Sequence, residues 1–108
     1  MNEMHRQMRY FIAVVETNSF FEAGEACHIS QSAISQQIKA LEDELQVQLL
    51  ERHGRKFTIT PAGQYFYEQA KRQTTALDSI VREVRRIGTG EYQRLRVKEG
   101  SDPFFFVT

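Results

Sequence analysis

Disulfide-forming cysteines, signal sequences and long apolar runs are absent from this chain of 108 residues, and each absence excludes a class of protein. Cys27 is the single cysteine, so no intrachain disulfide can form, and a reduced protein with one buried thiol is predicted. No apolar run reaches the roughly 20 residues that a bilayer-spanning helix needs, and no signal-peptide pattern is present. We therefore expect a cytoplasmic protein with no membrane partner.

The residue types that build metal and catalytic sites do not group along the sequence. His5, His28 and His53 have no cysteine or histidine partner at metal-ligand spacing, which predicts that the chain binds no metal. No nucleophile–base pairing, glycine-rich phosphate loop or paired-carboxylate site is evident, and the acidic run 42–44 is interpreted as the solvated end of a helix. The chain is predicted not to be an enzyme, with no catalytic residues and no cofactors.

The charge of the chain is balanced, but it is unevenly distributed. Fourteen basic residues cancel 14 acidic residues, which argues against tight non-specific binding to nucleic acid. Between Ser30 and Leu41, however, Lys39 is the only charged residue, and the segment 52–56 (RHGRK) carries three cations and no acid. A neutral protein can therefore still present a basic face to a polyanion.

Apolar spacing predicts two helices in the first quarter of the chain. Four apolar residues share one helical face and predict a first helix from about Met4 to Glu16: Met8, Phe11, Ile12 and Val15. Ser19, with Glu22 three residues later, forms the pattern of a capping box and begins a second helix that ends near Cys27. Gly24 weakens this helix by roughly 1 kcal/mol relative to alanine, which indicates that another element packs closely against it.

The third predicted helix, from about Gln31 to Leu45 with Ser30 as its N-cap, has two contrasting faces. Its apolar stripe consists of Ile34, Ile38, Leu41 and Leu45. Its other faces carry Gln31, Ser32, Ser35, Gln36 and Lys39. Amides and hydroxyls can bond base edges in the major groove, and lysine can reach guanine or phosphate. A merely solvated face is the alternative, but such faces usually carry many glutamates and lysines, so the sequence favours a DNA-reading helix.

A basic hairpin is predicted to follow the third helix. Apolar residues flank RHGRK and alternate with polar ones, which indicates two short strands with Gly54 at the tip: Leu49, Leu50, Phe57 and Ile59. Arg52, Arg55 and Lys56 would then contact phosphates or enter a minor groove, as in a DNA-binding wing. An ordinary exposed turn with solubilising charges is the alternative, and the position of the hairpin disfavours it.

A long fourth helix is predicted from Pro61 to about Ile87, with Thr60 as its N-cap. An a/d heptad pattern runs through Phe66, Ala70, Gln73, Leu77, Ile80, Val84 and Ile87. Such a helix spans roughly 40 Å, too long to be buried in so small a domain, so a homodimer through this helix is predicted. Alternatively its first half packs on the winged core and the rest is a solvated linker, and both arrangements can hold together.

The segment Met8–Gly63 resembles the N-terminal DNA-binding domain of LysR-type transcriptional regulators. The resemblance lies in RYFIAVVETNSF, HISQSAISQQIKALEDELQVQLLER and FTITPAG, and with the linker helix it extends over roughly the first 87 residues. It implies a mainly α fold, a winged helix-turn-helix followed by a long dimerisation (linker) helix. It also implies that the third helix enters the major groove, and that antiparallel linker helices form a dimer on a partly palindromic double-stranded DNA operator.

The resemblance also implies roles for individual residues. The base-facing positions are Gln31, Ser32, Ser35 and Gln36. The backbone or minor-groove contacts are Lys39, Arg52 and Arg55, and the phosphate-side contacts at the second helix are Ser19 and Phe21. Ser32 stands where many members have proline, and Gln36 where many have arginine, so this helix carries one cation fewer toward DNA.

Three segments are expected from this resemblance: a winged helix-turn-helix domain over 1–60, a linker helix over 61–87, and a hinge with the truncated start of an effector-binding domain over 88–108. The resemblance places the hinge at Gly88-Thr89-Gly90 and the first strand of the effector domain at Arg94–Val97, so no small-molecule effector is expected to bind this chain. Sequence-specific DNA binding is the predicted function. The alternative is a dimerisation module that titrates a full-length regulator, which heterodimer formation without DNA affinity would reveal.

Overall fold

The computed structural model describes residues 3–91 and has the predicted mainly α architecture. Its elements in chain order are α1 (Glu3–Thr17), α2 (Phe20–Cys27), α3 (Gln31–Leu45), β1 (Leu50–His53), β2 (Lys56–Ile59), α4 (Pro61–Arg86) and a π-helical turn (Ile87–Glu91). The three short helices, the hairpin and the long helix all correspond to predicted elements. The predicted strand Arg94–Val97 and the apolar end Phe104–Val107 lie outside the described residues.

The core forms where α1, α2 and α3 bury their apolar faces against one another. Its members are Phe11, Val14, Ala23, Ile34, Ile38, Leu41, Leu49 and Leu50, each at most 1% exposed. Full burial of a large apolar side chain stabilises a fold by about 1.5–3 kcal/mol, so α3 is held mainly by its apolar stripe. Leu45, the fourth predicted member of that stripe, is half-buried and packs at the edge of the core.

Hydroxyl side chains begin the helices where the sequence predicts them. The backbone N–H of Glu22 donates to Ser19 Oγ (3.0 Å), and that of Gly63 donates to Thr60 Oγ1 (2.9 Å). Ser30 Oγ likewise accepts from the N–H of Ala33 (3.0 Å) at the start of α3. Each cap satisfies a donor that has no partner within its helix, typically worth about 1 kcal/mol.

The turn between α2 and α3 depends on Gly24. A Cβ at this position would lie 2.8 Å from the carbonyl oxygen of Ile29, closer than non-bonded atoms approach. His28 ends α2 in the left-handed conformation (φ 62°), and the N–H of Ile29 donates to the carbonyl of Gly24. The predicted packing reason for Gly24 is thus confirmed, and this close approach lets α3 begin after a turn of three residues.

The hairpin is antiparallel, with Leu50 opposite Ile59 and His53 opposite Lys56. Gly54 lies in its turn with φ 65°, as predicted for the tip. Glu42 anchors its first strand, because one carboxylate oxygen accepts the N–H groups of Leu49 (2.8 Å) and Leu50 (3.0 Å).

Glu42 therefore corrects one expectation from the sequence. Asp43 and Glu44 are exposed, as expected for a solvated helix end, but Glu42 is half-buried and fastens the hairpin to α3. Sequence spacing could not reveal this role, because its partners are backbone groups in the next element.

The described chain divides into two compact units between Thr74 and Thr75, within α4. In the first unit the Phe66 ring packs edge-on against Phe11 (5.6 Å between centroids), and Ala70 is fully buried. Ala70, assigned to the dimer seam by its heptad position, has no surface left to offer a second chain.

In the second unit, the helix carries exposed apolar side chains. Ile80 is 58% exposed and Val84 is 60% exposed, whereas Leu77 and Ile87 are half-buried. The predicted hinge at Gly88–Gly90 falls in the π-helical turn, where Gly90 has φ 128°. Among residues 3–91 there is no helix with the length and apolar character needed to cross a membrane.

Cys27 is half-buried at the end of α2. Its burial raises the pKa of the thiol, which favours the protonated, unreactive form.

We predict that Gly63→Ala will lower the free energy of unfolding by about 1–3 kcal/mol, the usual cost of overpacking. The added methyl would overlap the carbonyl oxygen of Leu49 and lie 2.8 Å from Ile59 Cγ1, so the backbone must shift. Denaturant titration followed by circular dichroism measures the change. Gly88→Ala is the control, because nothing lies within 4 Å of a Cβ there. Equal stability of the two variants would contradict the close packing of α4 on the hairpin.

Candidate nucleic-acid interface

A groove of about 990 Å³ lies between the start of α2, the start of α3 and the hairpin. Twelve residues line it: Asn18, Ser19, Phe20, Phe21, Gln31, Ser32, Ser35, Arg52, Gly54, Arg55, Lys56 and Phe57. Three are cations and none is an acid, so the groove suits a polyanion. The winged helix-turn-helix thus gathers residues that are far apart in the sequence into one surface.

The α3 side of the groove is built from residues outside the apolar stripe. Ile34, Ile38 and Leu41 are fully buried, whereas Gln31 and Ser32 are exposed in the first turn of the helix. A helix N-terminus favours negative charge, because its first N–H groups have no partner within the helix.

Gln36 and Lys39 extend this face beyond the groove lining. Gln36 lies four residues after Ser32, and Lys39 lies four residues after Ser35, so each follows its neighbour along the same side of the helix. Both are exposed, whereas Ser35 is half-buried. The five polar residues predicted on α3 therefore form a continuous strip, three of them inside the groove and two beside it.

A partly buried amide pair holds α3 against α1. Gln7 is only 4% exposed, and its Nε2 donates to Gln37 Oε1 at 3.3 Å. Buried polar groups are costly unless paired, so this contact favours one setting of α3 relative to α1. Neither residue was predicted to be buried, since nothing in the sequence distinguishes a buried glutamine of a helix from an exposed one.

The hairpin side supplies the positive charge. Arg52, Arg55 and Lys56 are all exposed, and within residues 3–91 no ion pair neutralises them. The Arg52 guanidinium lies 4.9 Å from the centroid of the Phe20 ring, and Phe20 packs edge-on against Phe57 (5.0 Å). The cation–π contact directs one wing cation toward the start of α2.

The α2 side combines a helix cap with an exposed aromatic ring. Ser19 caps the helix and lines the groove, and Phe21 is 58% exposed beside it. Asn18, directly before the cap, is held in the left-handed conformation (φ 56°). Ser19 and Phe21 thus both line the groove at the start of α2, and their role as phosphate-side contacts stays a prediction.

The sequence predicted eight of these lining residues and missed four. Asn18 directly precedes the predicted cap at Ser19, and Phe57 belongs to the alternation that predicts the hairpin. Phe20 and Gly54 complete the missed set. An asparagine directly before a Ser N-cap could have been noticed as a groove residue, whereas the contact of Phe20 with Arg52 depends on the tertiary fold.

Comparison with known proteins gives a consistent result. A family model described as bacterial regulatory helix-turn-helix protein, lysR family, matches residues 5–64. The HTH-type transcriptional regulator BenM of Acinetobacter baylyi is 43% identical over 86 residues, which cover 80% of this chain and 28% of BenM. The dual regulator OxyR of Escherichia coli is 41% identical over 80 residues, which cover 74% of this chain and 24% of OxyR. The chain therefore spans about a quarter of the length of these curated relatives.

Two solved structures resemble the chain along nearly their whole length. The BenM_DBD/catB site 1 DNA complex has a TM-score of 0.76 and 42% identity, covering 84% of this chain and 99% of that chain. The CbnR_DBD-DNA complex has a TM-score of 0.71 and 38% identity, covering 82% of this chain and 99% of that chain. These likenesses confirm the predicted winged helix-turn-helix followed by a long helix.

We predict a favourable coupling between Phe20 and Arg52 of about 0.5–1 kcal/mol, the usual range for an exposed cation–π pair. A double-mutant cycle of Phe20→Leu and Arg52→Gln, measured by denaturant unfolding, isolates this energy. A second double-mutant cycle, of Phe20→Leu and Arg55→Gln, is the control, and no coupling is expected in it. Equal couplings in the two cycles would show that Phe20 does not hold Arg52.

Proposed function

The chain belongs to the lysR family of bacterial regulatory helix-turn-helix proteins, and from this we propose that it binds an operator in double-stranded DNA sequence-specifically. Its helix-turn-helix is the DNA-binding domain of a LysR-type regulator, with α3 entering the major groove and the hairpin lying on the backbone or in a minor groove. The observation that carries this proposal is the groove itself. It places an amide-and-hydroxyl helix face opposite a basic wing.

Base readout falls to the polar strip on α3. Gln31 and Gln36 can each pair with the edge of adenine through two hydrogen bonds, and Ser32 and Ser35 can donate or accept. The major groove is about 12 Å wide, so it admits one helix with its side chains. The apolar stripe of α3 cannot face the DNA, because Ile34 and Ile38 are fully buried in the protein.

Backbone contacts fall to the cations and to the start of α2. Lys39, Arg52, Arg55 and Lys56 are exposed, and Ser19 and Phe21 line the groove together with the three wing cations. If each of these four cations neutralised one phosphate, log affinity would fall with log salt at a slope of about −3.6 per protomer. The other charges of this neutral chain add little attraction, so discrimination depends mainly on base contacts.

A homodimer through α4 would present two reading helices to two half-sites. Ile80 and Val84, exposed in the second unit, are the strongest candidates for the contact. The remaining heptad residues, Gln73, Leu77 and Ile87, extend the same seam, whereas Phe66 already packs on Phe11. A twofold axis would then pair each seam with its copy, and the operator would share that symmetry.

The OxyR and BenM relatives are transcriptional regulators, which supports a regulatory rather than an enzymatic role. We propose that the target is a partly palindromic DNA operator, as the resemblance to LysR-type regulators implies. Titration of a full-length regulator by heterodimerisation stays the alternative, and nothing in the groove favours it.

We predict that Gln36→Ala costs about 1–3 kcal/mol of binding free energy at an operator selected by the wild-type chain from random duplex DNA. The loss on random duplexes should be small, since the substitution would remove a base contact. Arg55→Ala is the matched comparison: it should weaken all duplexes alike and reduce the salt slope by about one. Fluorescence anisotropy at several salt concentrations measures both. A uniform loss with Gln36→Ala would exclude it from base readout.

We predict that Val84→Asp converts the dimer to monomers, because a carboxylate in an apolar seam cannot be solvated. Sedimentation equilibrium measures the change. Tyr65→Asp is the control, since Tyr65 is 68% exposed on the same helix but off the heptad pattern. A dimer that survives Val84→Asp would place the interface elsewhere.

A further inference from the structure

A three-residue polar cluster joins the end of α1 to the first half of α4. Glu16 Oε2 accepts hydrogen bonds from the Tyr67 hydroxyl (2.8 Å) and from Lys71 Nζ (2.5 Å). Its partners are 51 and 55 residues away in the sequence, so only the tertiary fold brings them together. All three lie within the first compact unit, which ends at Thr74.

The geometry of this cluster adds directional contacts to the apolar packing of α4. Tyr67 and Lys71 are four residues apart and therefore lie on one side of α4, one turn from each other. Apolar contacts already position the same half of the helix, because Phe66 packs edge-on against Phe11 and Ala70 is fully buried. Two hydrogen bonds from successive turns to one carboxylate oxygen further oppose rotation of the helix about its axis and displacement along it.

The charge states support the same arrangement. The hydrogen bond from Lys71, and then that from Tyr67, lowers the pKa of Glu16. The hydrogen bond to Glu16 in turn raises the pKa of Tyr67 and that of Lys71. Near neutral pH the cluster therefore holds a carboxylate, a neutral phenol and an ammonium group.

The cluster also lies beside the turn that leads into the groove. Glu16 precedes Thr17, whose hydroxyl contacts the carbonyl oxygens of Ala13 (2.8 Å) and Ser19 (2.9 Å). The next residue, Asn18, lines the groove, as does Ser19. Thus one short segment touches the groove at one end and α4 at the other.

We propose that Glu16, Tyr67 and Lys71 form a positioning clamp that sets the preferred spacing between the two half-sites that the dimer recognises. The clamp fixes the first half of α4 on the winged core, and this half of the helix connects each α3 helix to the proposed dimer seam. The inference rests on the proposed function, DNA binding by a homodimer. The three residues act through α4 and are not themselves DNA contacts.

The chain contains a matched control for this clamp. Arg6 and Glu3 form an exposed ion pair of similar length (2.6 Å), but both residues lie on α1. Glu3→Gln therefore removes the same kind of charge pair without changing the hold on α4. Glu16→Gln and Tyr67→Phe remove the charge and the hydroxyl of the clamp with almost no change in volume.

The first measurement uses duplexes with two copies of the half-site separated by spacers of different length, and a duplex with a single half-site. The preference is the ratio of the affinity for the best spacer to the affinity for the next shorter or longer one. We expect Glu16→Gln to reduce this ratio about fivefold, which corresponds to the energy of an exposed ion pair. Affinity for the single half-site should stay unchanged. Glu3→Gln should leave both quantities at their wild-type values.

The second measurement needs no DNA. Nitroxide labels at the exposed positions 25 on α2 and 72 on α4, in a Cys27→Ala background, report the distance between these helices within the first unit. Glu16→Gln should broaden the distance distribution, and Glu3→Gln should not. The exchanged pair Glu16→Lys with Lys71→Glu should restore both the narrow distribution and the spacer preference.

The outcomes separate the clamp from the proposed function. An unchanged spacer preference in Glu16→Gln overturns the clamp, as does an equal loss on single and paired half-sites, which would indicate damage to DNA contacts or folding. If the wild-type chain binds no half-site, the proposed function fails and the spacing role fails with it. An unchanged distance distribution would in addition remove the clamp as a structural feature.

Discussion

Burial of the apolar stripe of α3 is the interaction on which the rest of this structure depends. Ile34, Ile38 and Leu41 are fully buried against α1 and α2, and their burial leaves the polar side of the same helix uncovered. A helix has room for both faces because residues four apart share a side while those two apart do not. In the proposed function, stability and DNA reading are thus divided between two sides of one element. A polar residue on the buried side would cost core packing, and an apolar residue on the exposed side would remove one of the proposed base contacts.

The second constraint is the placement of α3 against its neighbours. Gly24 permits the close turn from α2, since any side chain there would collide with the Ile29 carbonyl. Gln7 pairs with Gln37 across the α1–α3 interface, and Glu42 holds the first strand of the hairpin by two backbone hydrogen bonds. These contacts involve few residues, yet they give the recognition helix and the basic wing a common groove. Precise placement is what base readout requires, because hydrogen bonds to base edges tolerate only small displacements.

Local sequence patterns predicted most of this fold because they reflect local physics. The bounds of α3, the caps at Ser19, Ser30 and Thr60, and the hairpin turn at Gly54 all follow from residues within a few positions of one another. Contacts over long sequence distances were not predicted: the Glu16 cluster, the Arg52–Phe20 pair and the capture of the hairpin by Glu42. The heptad pattern of α4 shows the limit most clearly. It identifies a buried face, but it cannot distinguish a residue buried in its own chain, such as Ala70, from one available to a partner.

Selection from random duplex DNA by the purified chain tests whether a dimer of this chain binds DNA sequence-specifically. The bound duplexes are sequenced, and affinity for the enriched sequence is then followed against salt concentration. We expect an enriched inverted repeat, with half-sites about one or more helical turns apart. We also expect a moderate salt slope, in keeping with the few exposed cations of the groove. Binding without enrichment, or no binding at all, would exclude sequence-specific recognition by this chain and favour a role through a protein partner.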